Sequence, residues 1–147
     1  MRTSPGQFVW VKQVAAKMPF YRFMGIRLTR AGRGRSEIKM HVTERITQLA
    51  GFAHGGVSAA LIDSAVGLAL CTIIDEGTPI TTIDLQVNFL APAKPGSLTA
   101  RGRIIHRGKR TAVGDCRVTD ERGKLVSKGS ATYLILENRK KGLAVGV

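Results

Sequence analysis

The sequence predicts an α+β fold in which an antiparallel sheet wraps round one enclosed helix. Three observations carry this reading. Residues 57–74 form an almost unbroken apolar run, too long for one strand and apolar on nearly every side. After Gly77-Thr78-Pro79 the hydrophobic period changes to two, with Ile83, Leu85, Val87 and Phe89 alternating with Asp84, Gln86 and Asn88. The turn-forming stretches APAKPG, RGKR and DERGK then cut the second half into strand-length pieces. A helix with no polar face must be enclosed, and a sheet with one apolar face can enclose it.

The elements follow in order. Residues 7–18 (QFVWVKQVAAKM) place Phe8, Val11, Val14 and Ala15 near helical spacing, and Pro19 is expected to stop that helix. Residues 25–42 read as two strands around the turn RAGRGRS, with Ile26 and Leu28 before it and Ile38, Met40 and Val42 after it. A loop then leads to His54-Gly55-Gly56 and the apolar helix of 57–74. The alternating segment around 83–89 comes next, followed by strands at 97–106, 111–119 and 125–136, the four forming an antiparallel meander. Gly108 and Gly123 stand where tight turns want positive φ. The tail of 137–147 is basic and aperiodic and is expected to be disordered.

The 147 residues suit a single domain over 1–147, with its core at about 20–136. The net charge of +13 points to an anionic partner: nucleic acid, a membrane surface or a phosphate-bearing small molecule. The N-terminus has no apolar stretch or cleavage pattern of a signal peptide, and Asp63 interrupts the best candidate for a membrane span. Cys71 and Cys116 read as reduced core thiols, so a cytoplasmic location is expected.

Asp63 is the anomaly. A carboxylate in an apolar helix pairs, shifts its pKa or does a job. It could cap a helix that begins at Ser64, be a satisfied core group, or act as general base or nucleophile. Gly55-Gly56 at the helix start offers backbone N–H groups, the positive dipole end and close approach, as an oxyanion site needs; it could also be a loop that requires flexible residues. Gly55 and Asp63 are eight residues apart, about 12 Å along one helix. One carbonyl cannot touch both. If both assignments hold, the groups meet from different chains in a two-fold dimer.

The run HGGVSAALIDSAVGLAL resembles the signature of the hot-dog-fold acyl-CoA thioesterases, of the phenylacetate-degradation (PaaI-like) type within the 4-hydroxybenzoyl-CoA thioesterase superfamily. The resemblance continues through TTIDLQVNFLAPAKPGSLTARGRIIHRGKR and GKLVSKGSATYLIL, over roughly residues 20–136. It implies a hot-dog fold and dimers joined edge to edge, often paired into tetramers, with active sites shared between subunits. It implies that the Gly55 N–H polarises the thioester carbonyl and that Asp63 of the partner subunit serves as base or nucleophile. Gln48 would help hold the attacking water, and Thr82 matches a Ser/Thr position that assists in some members. Gly67 stands where some relatives carry a hydroxyl, and His54 reads as a structural loop residue more than an acid-base group.

Coenzyme A, as part of the substrate, carries phosphates that relatives bind near strand-joining turns. Arg107, Lys109 and Arg110 are the candidates here, with Gly56 at the helix start and Gly129 and Ser130 opposite the turn. No further cofactor is called for, and His41 and His106 show no metal-ligand spacing. The apolar helix flank of Val57, Leu61 and Val66 is expected to line an acyl pocket. The rival readings are a non-catalytic acyl-CoA-binding or regulatory domain, a hydratase, and a nucleic-acid binder. An aromatic content of 5% and the absence of a recognition motif speak against the last.

Overall fold

The computed structural model of the chain describes residues 5–137. The tail expected to be disordered lies, apart from Glu137, outside the described residues. The elements are α1 (Pro5–Lys17), α2 (Pro19–Met24), β1 (Arg27–Gly32), β2 (Arg35–Val42), α3 (Gly55–Cys71), β3 (Ile80–Phe89), β4 (Gly96–Arg107), β5 (Thr111–Thr119) and β6 (Leu125–Ile135).

The strands form one antiparallel sheet in the order β1-β2-β4-β5-β6-β3, and α3 packs against all six strands. From β2 to β6 the inward positions are buried, among them Ile38, Met40, Leu98, Ala100, Val118 and Ala131, and Leu61, Ile62 and Leu70 of α3 meet them. The expected wrap of sheet round helix is thus present. Small residues set its closeness. A β-carbon on Gly102 of β4 would lie 2.6 Å from the Ala65 carbonyl carbon, so sheet backbone rests directly on helix backbone. Ser36 of β2 donates to the Ala65 carbonyl at 2.6 Å and so occupies a helix carbonyl from the sheet side.

Four details correct the sequence reading. Only β4, β5 and β6 are a meander; β3 pairs with β6 and β4 with β2. The segment after β3 carries the chain across the sheet end, where Leu90 and Ala91 donate to the Val126 carbonyl and Ala53 donates to the Ala93 carbonyl. An alternating pattern fixes which face a residue takes but not which strand lies beside it. Pro19 does end α1, but it also opens α2, where a missing N–H costs nothing. Helix α3 runs over Gly55–Cys71 in place of 57–74. Gly123 takes the expected φ of +80°, whereas Gly108 is not among the positive-φ residues; its N–H closes the hairpin onto the Thr111 carbonyl at 2.8 Å.

Strand β3 is an edge. A bulge at Ile83 separates the pairs Thr82↔Tyr133 and Asp84↔Thr132. Beyond it, Leu85, Val87 and Phe89 share the helix-facing side, where the Phe89 ring meets the start of α3 at Gly55, yet Leu85 and Phe89 remain 38% and 62% exposed. The apolar alternation read from the sequence is real, but one chain leaves part of it uncovered.

Candidate active site

The N-terminus of α3 is built by His54. Its Nδ1 accepts the Gly56 N–H at 2.9 Å, which makes it the N-cap. The chain before it closes on itself: Thr47 bridges Ala53, and the His54 N–H donates to the Ile46 carbonyl. Gln48 sits at the exposed tip of this loop, where its side-chain oxygen accepts from the Ala50 N–H and its amide NH2 is left toward solvent. With the Gly56 N–H used, the Gly55 N–H is the one at the helix start with no partner among the described residues. The Phe89 ring covers Gly55 closely: a β-carbon there would stand 3.2 Å from two ring carbons.

Asp63 lies two turns further along the same helix. It does not cap a helix at Ser64, because α3 runs straight through it. Its Oδ1 accepts from the Thr82 hydroxyl at 2.8 Å and from the Tyr133 hydroxyl at 2.7 Å, and the same Tyr133 hydroxyl lies 2.7 Å from the Asp63 main-chain oxygen. Both partners come from the β3–β6 pair, where Thr82 and Tyr133 face each other in register. Oδ2 has no hydrogen-bond partner among the described residues. Burial and the Asp63 charge hold the Tyr133 phenol well above its ordinary range, so it stays a neutral donor.

Asp63 opens onto a cavity of about 580 Å³. Its walls are not the flank of Val57, Leu61 and Val66, which is buried in the core. The opposite flank of α3 lines it instead, through Ala59, Ala60 and Gly67, with Trp10 of α1, Met18 at the junction of α1 and α2, Phe20 of α2 and Leu85 of β3. Small residues on that flank leave the space. The Gln7 side chain ties α1 down by donating to the Cys71 and Ile74 carbonyls at the far end of α3, at 2.6 and 2.7 Å. A larger hollow of about 810 Å³ beside β1 and α2 does not include Asp63. Tyr133, Trp10 and Phe20 were not singled out from the sequence. The signal for Tyr133 was the inward alternation Ala131, Tyr133, Ile135, which puts a phenol toward the helix; nothing local told where its hydroxyl ends.

The candidate phosphate ligands are divided. Arg107, Lys109 and Arg110 are exposed at the β4–β5 hairpin, where the Arg107 guanidinium folds back to donate to the Gly108 carbonyl. Gly129 and Ser130 lie mid-strand, paired with Cys116 and Asp115. That is about 15 Å from the hairpin at strand rise, so a single chain does not bring the two groups together. They border instead a groove of the sheet with Arg35, Arg101, Arg103, Arg117 and Lys128.

Cys71 and Cys116 are free and buried. None of the described helices is long and apolar enough to cross a membrane.

Comparison with known proteins gives a consistent result. The family model of the thioesterase superfamily matches residues 50–127. The 1,4-dihydroxy-2-naphthoyl-CoA hydrolase of Listeria monocytogenes is 31% identical over 117 residues, covering 80% of this chain and 95% of that protein. Human acyl-coenzyme A thioesterase 13 is 31% identical over 126 residues, covering 83% and 89%. The PaaI protein of the E. coli phenylacetic acid degradation operon superposes with a TM-score of 0.84 at 22% identity, covering 92% of this chain and 96% of that one, a likeness of fold.

Proposed function

The chain belongs to the thioesterase superfamily, and from that premise we propose that it hydrolyses an acyl- or aryl-CoA thioester to the free acid and coenzyme A, with Asp63 as the group that delivers oxygen to the carbonyl. One observation carries the assignment. A carboxylate with one oxygen fixed by two hydroxyl donors, and the other without a partner among the described residues, lines an apolar cavity of about 580 Å³. That volume falls in the range of small-molecule sites and suits an aryl or medium-chain acyl group.

In the reaction, Oδ2 of Asp63 takes a proton from water as the water oxygen bonds to the thioester carbon, or attacks that carbon itself. Either route places negative charge on the carbonyl oxygen. The Gly55 N–H at the start of a helix is suited to receive that charge, aided by the helix dipole. Collapse of the tetrahedral intermediate breaks the C–S bond and releases the thiolate of coenzyme A, which takes up a proton; on the second route this leaves a mixed anhydride on Asp63, which water hydrolyses to the free acid and the restored carboxylate.

Gly55 and Asp63 stand eight residues apart in one continuous helix, about 12 Å, so the donor and the carboxylate of one site come from two subunits. The exposed edge strand β3, with Ile83, Leu85 and Phe89 uncovered, is the natural joint for a second copy. Gln48, on the loop before the partner's helix, would then orient the water. Lys109 and Arg110 at the hairpin would meet the phosphates of coenzyme A.

The test is thiol release from a panel of aryl- and aliphatic acyl-CoAs by the wild type and by Asp63→Asn. Turnover that falls about a hundredfold or more in the variant supports both the reaction and the residue. Binding of acyl-CoA without turnover of any of them sinks the hydrolase reading in favour of an acyl-CoA-sensing domain.

A further inference from the structure

The geometry points to Tyr133 as a positioning residue for the reaction: its hydroxyl, seated in the space left by Gly67, locks the Asp63 carboxylate so that Oδ2 faces the cavity. The inference rests on the reading of Asp63 given above.

Two independent observations meet here. The first is the hydrogen bonding. A carboxylate on a helix can rotate about its side-chain bonds, and one donor would leave a wide arc of orientations. Thr82 and Tyr133 donate to the same oxygen, Oδ1, at 2.8 and 2.7 Å. Two donors on one oxygen leave the other as the exposed base. The Tyr133 hydroxyl also reaches the Asp63 main-chain oxygen at 2.7 Å, so it holds both ends of the residue and fixes the side chain against its own backbone. A phenol does this with little loss of freedom, because its ring is already buried in β6.

The second is the space. A β-carbon at Gly67 would lie 2.7 Å from the Tyr133 oxygen and 3.1 Å from the ring carbon that bears it. Gly67 stands one turn after Asp63, on the same flank of α3. Helix interiors disfavour glycine relative to alanine, and here the residue is explained by the hydroxyl that it admits. The same glycine borders the cavity, so the hydroxyl reaches Asp63 from beside the pocket without filling it.

The consequence is specific. Loss of the Tyr133 hydroxyl removes one of the two donors to Asp63 Oδ1. It also releases Oδ1 to rotate. Turnover should fall more than ground-state binding of acyl-CoA, because the Tyr133 hydroxyl, though its side chain also borders the cavity, is bonded to the carboxylate.

The experiment is a cycle of Tyr133→Phe, Gly67→Ala and the double variant, with Asp63→Asn beside them. For each, kcat, KM and the melting curve are measured with one acyl-CoA that the wild type turns over. Tyr133→Phe is expected to lower kcat about tenfold or more and to leave KM within about twofold. Gly67→Ala should do the same with Tyr133 retained, by pushing its hydroxyl aside. The double variant should lose no more than either single change, because both act through one hydrogen bond. Should either single variant fold poorly, the other supplies the result. Wild-type kcat in a folded Tyr133→Phe, a loss that appears in KM alone, or additive losses in the cycle overturn the inference. If Asp63→Asn keeps its activity, the carboxylate reading itself fails; if Asp63→Asn is inactive while Tyr133→Phe is not, only the role of Tyr133 fails.

Discussion

The Phe89 ring of β3 lies over Gly55 of α3 so closely that a β-carbon at 55 would stand 3.2 Å from two of its ring carbons. The one helix-start N–H without a partner among the described residues is therefore also the one walled by an aromatic ring from the sheet edge. Glycine at 55 serves the packing and the amide together, and the two demands can be separated by substitution.

Gly55 is the first helical residue after the N-cap His54, a position where proline is accepted. The ψ of 143° at His54 is compatible with a following proline. Gly55→Ala keeps the N–H and crowds Phe89, whereas Gly55→Pro crowds Phe89 and deletes the N–H. Turnover by the proline variant is expected to fall about a hundredfold to a thousandfold below that of the alanine variant, as for a lost oxyanion donor. Steady-state kinetics of the two, with melting curves to confirm both folds, make the comparison. Equal turnover would remove the Gly55 amide from the mechanism.

Shared sites predict complementation. In a mixed dimer of Gly55→Pro and Asp63→Asn subunits, one site carries both changes and the other carries neither. Refolding the two inactive variants together at equal amounts should restore about a quarter of wild-type activity, from half the sites of the half of the dimers that are mixed. Sedimentation should show a dimer or a multiple of one. No recovery in a mixed sample that does dimerise would place Gly55 and Asp63 in separate roles.

Trp10 of α1 walls the cavity opposite the small residues of α3. Replacing it by alanine enlarges the pocket without touching Asp63, Thr82 or Tyr133. The ratio of kcat/KM for a bulky aryl-CoA over a short-chain acyl-CoA is expected to rise about tenfold. An unchanged ratio across the acyl panel would mean that the acyl group lies elsewhere, with the larger hollow beside β1 and α2 the next place to test.

Burial raises the Cys71 thiol from 9.0 to about 11, the Cys116 thiol from 9.0 to about 12 and the Tyr21 phenol from 10.0 to about 12, and it raises the Tyr133 phenol as well. Folding favours the neutral form of each. The stability that this contributes is complete below the unfolded values and is lost as pH rises through the folded ones. The melting temperature should therefore hold to about pH 9 and fall steadily through pH 11. Cys116→Ala should flatten part of that fall. Melts followed by circular dichroism from pH 8 to 11 decide it, and a level melting temperature across that range would contradict the burial.

Much of this molecule was legible because it is local. The unbroken apolar run of 57–74 could only be an enclosed helix, whatever enclosed it. His54-Gly55-Gly56 and Asp63 are close in sequence, and their separation along a helix is simple geometry, so the two-subunit argument needed no coordinates. The strands of β4, β5 and β6 announced themselves by period and turn. The six-residue α2 was missed because a proline that stops one helix is equally good at starting another, and six residues show no periodicity.

What the sequence by itself determined is thus the enclosed helix, the strands, and the spacing of the two groups on α3 to which we assign the chemistry: these depend on one chain segment. Only the tertiary structure decided the neighbours. It put β3 beside β6 rather than β4, which brings Thr82 and Tyr133 onto Asp63 from 19 and 70 residues away. It turned the Val57, Leu61 and Val66 flank inward and gave the cavity to the flank of small residues. It also fitted the Tyr133 hydroxyl over Gly67. Strand pairing and side-chain fit join residues far apart in the chain, and the apolar alternation that forms each strand is the same whichever partner it finds.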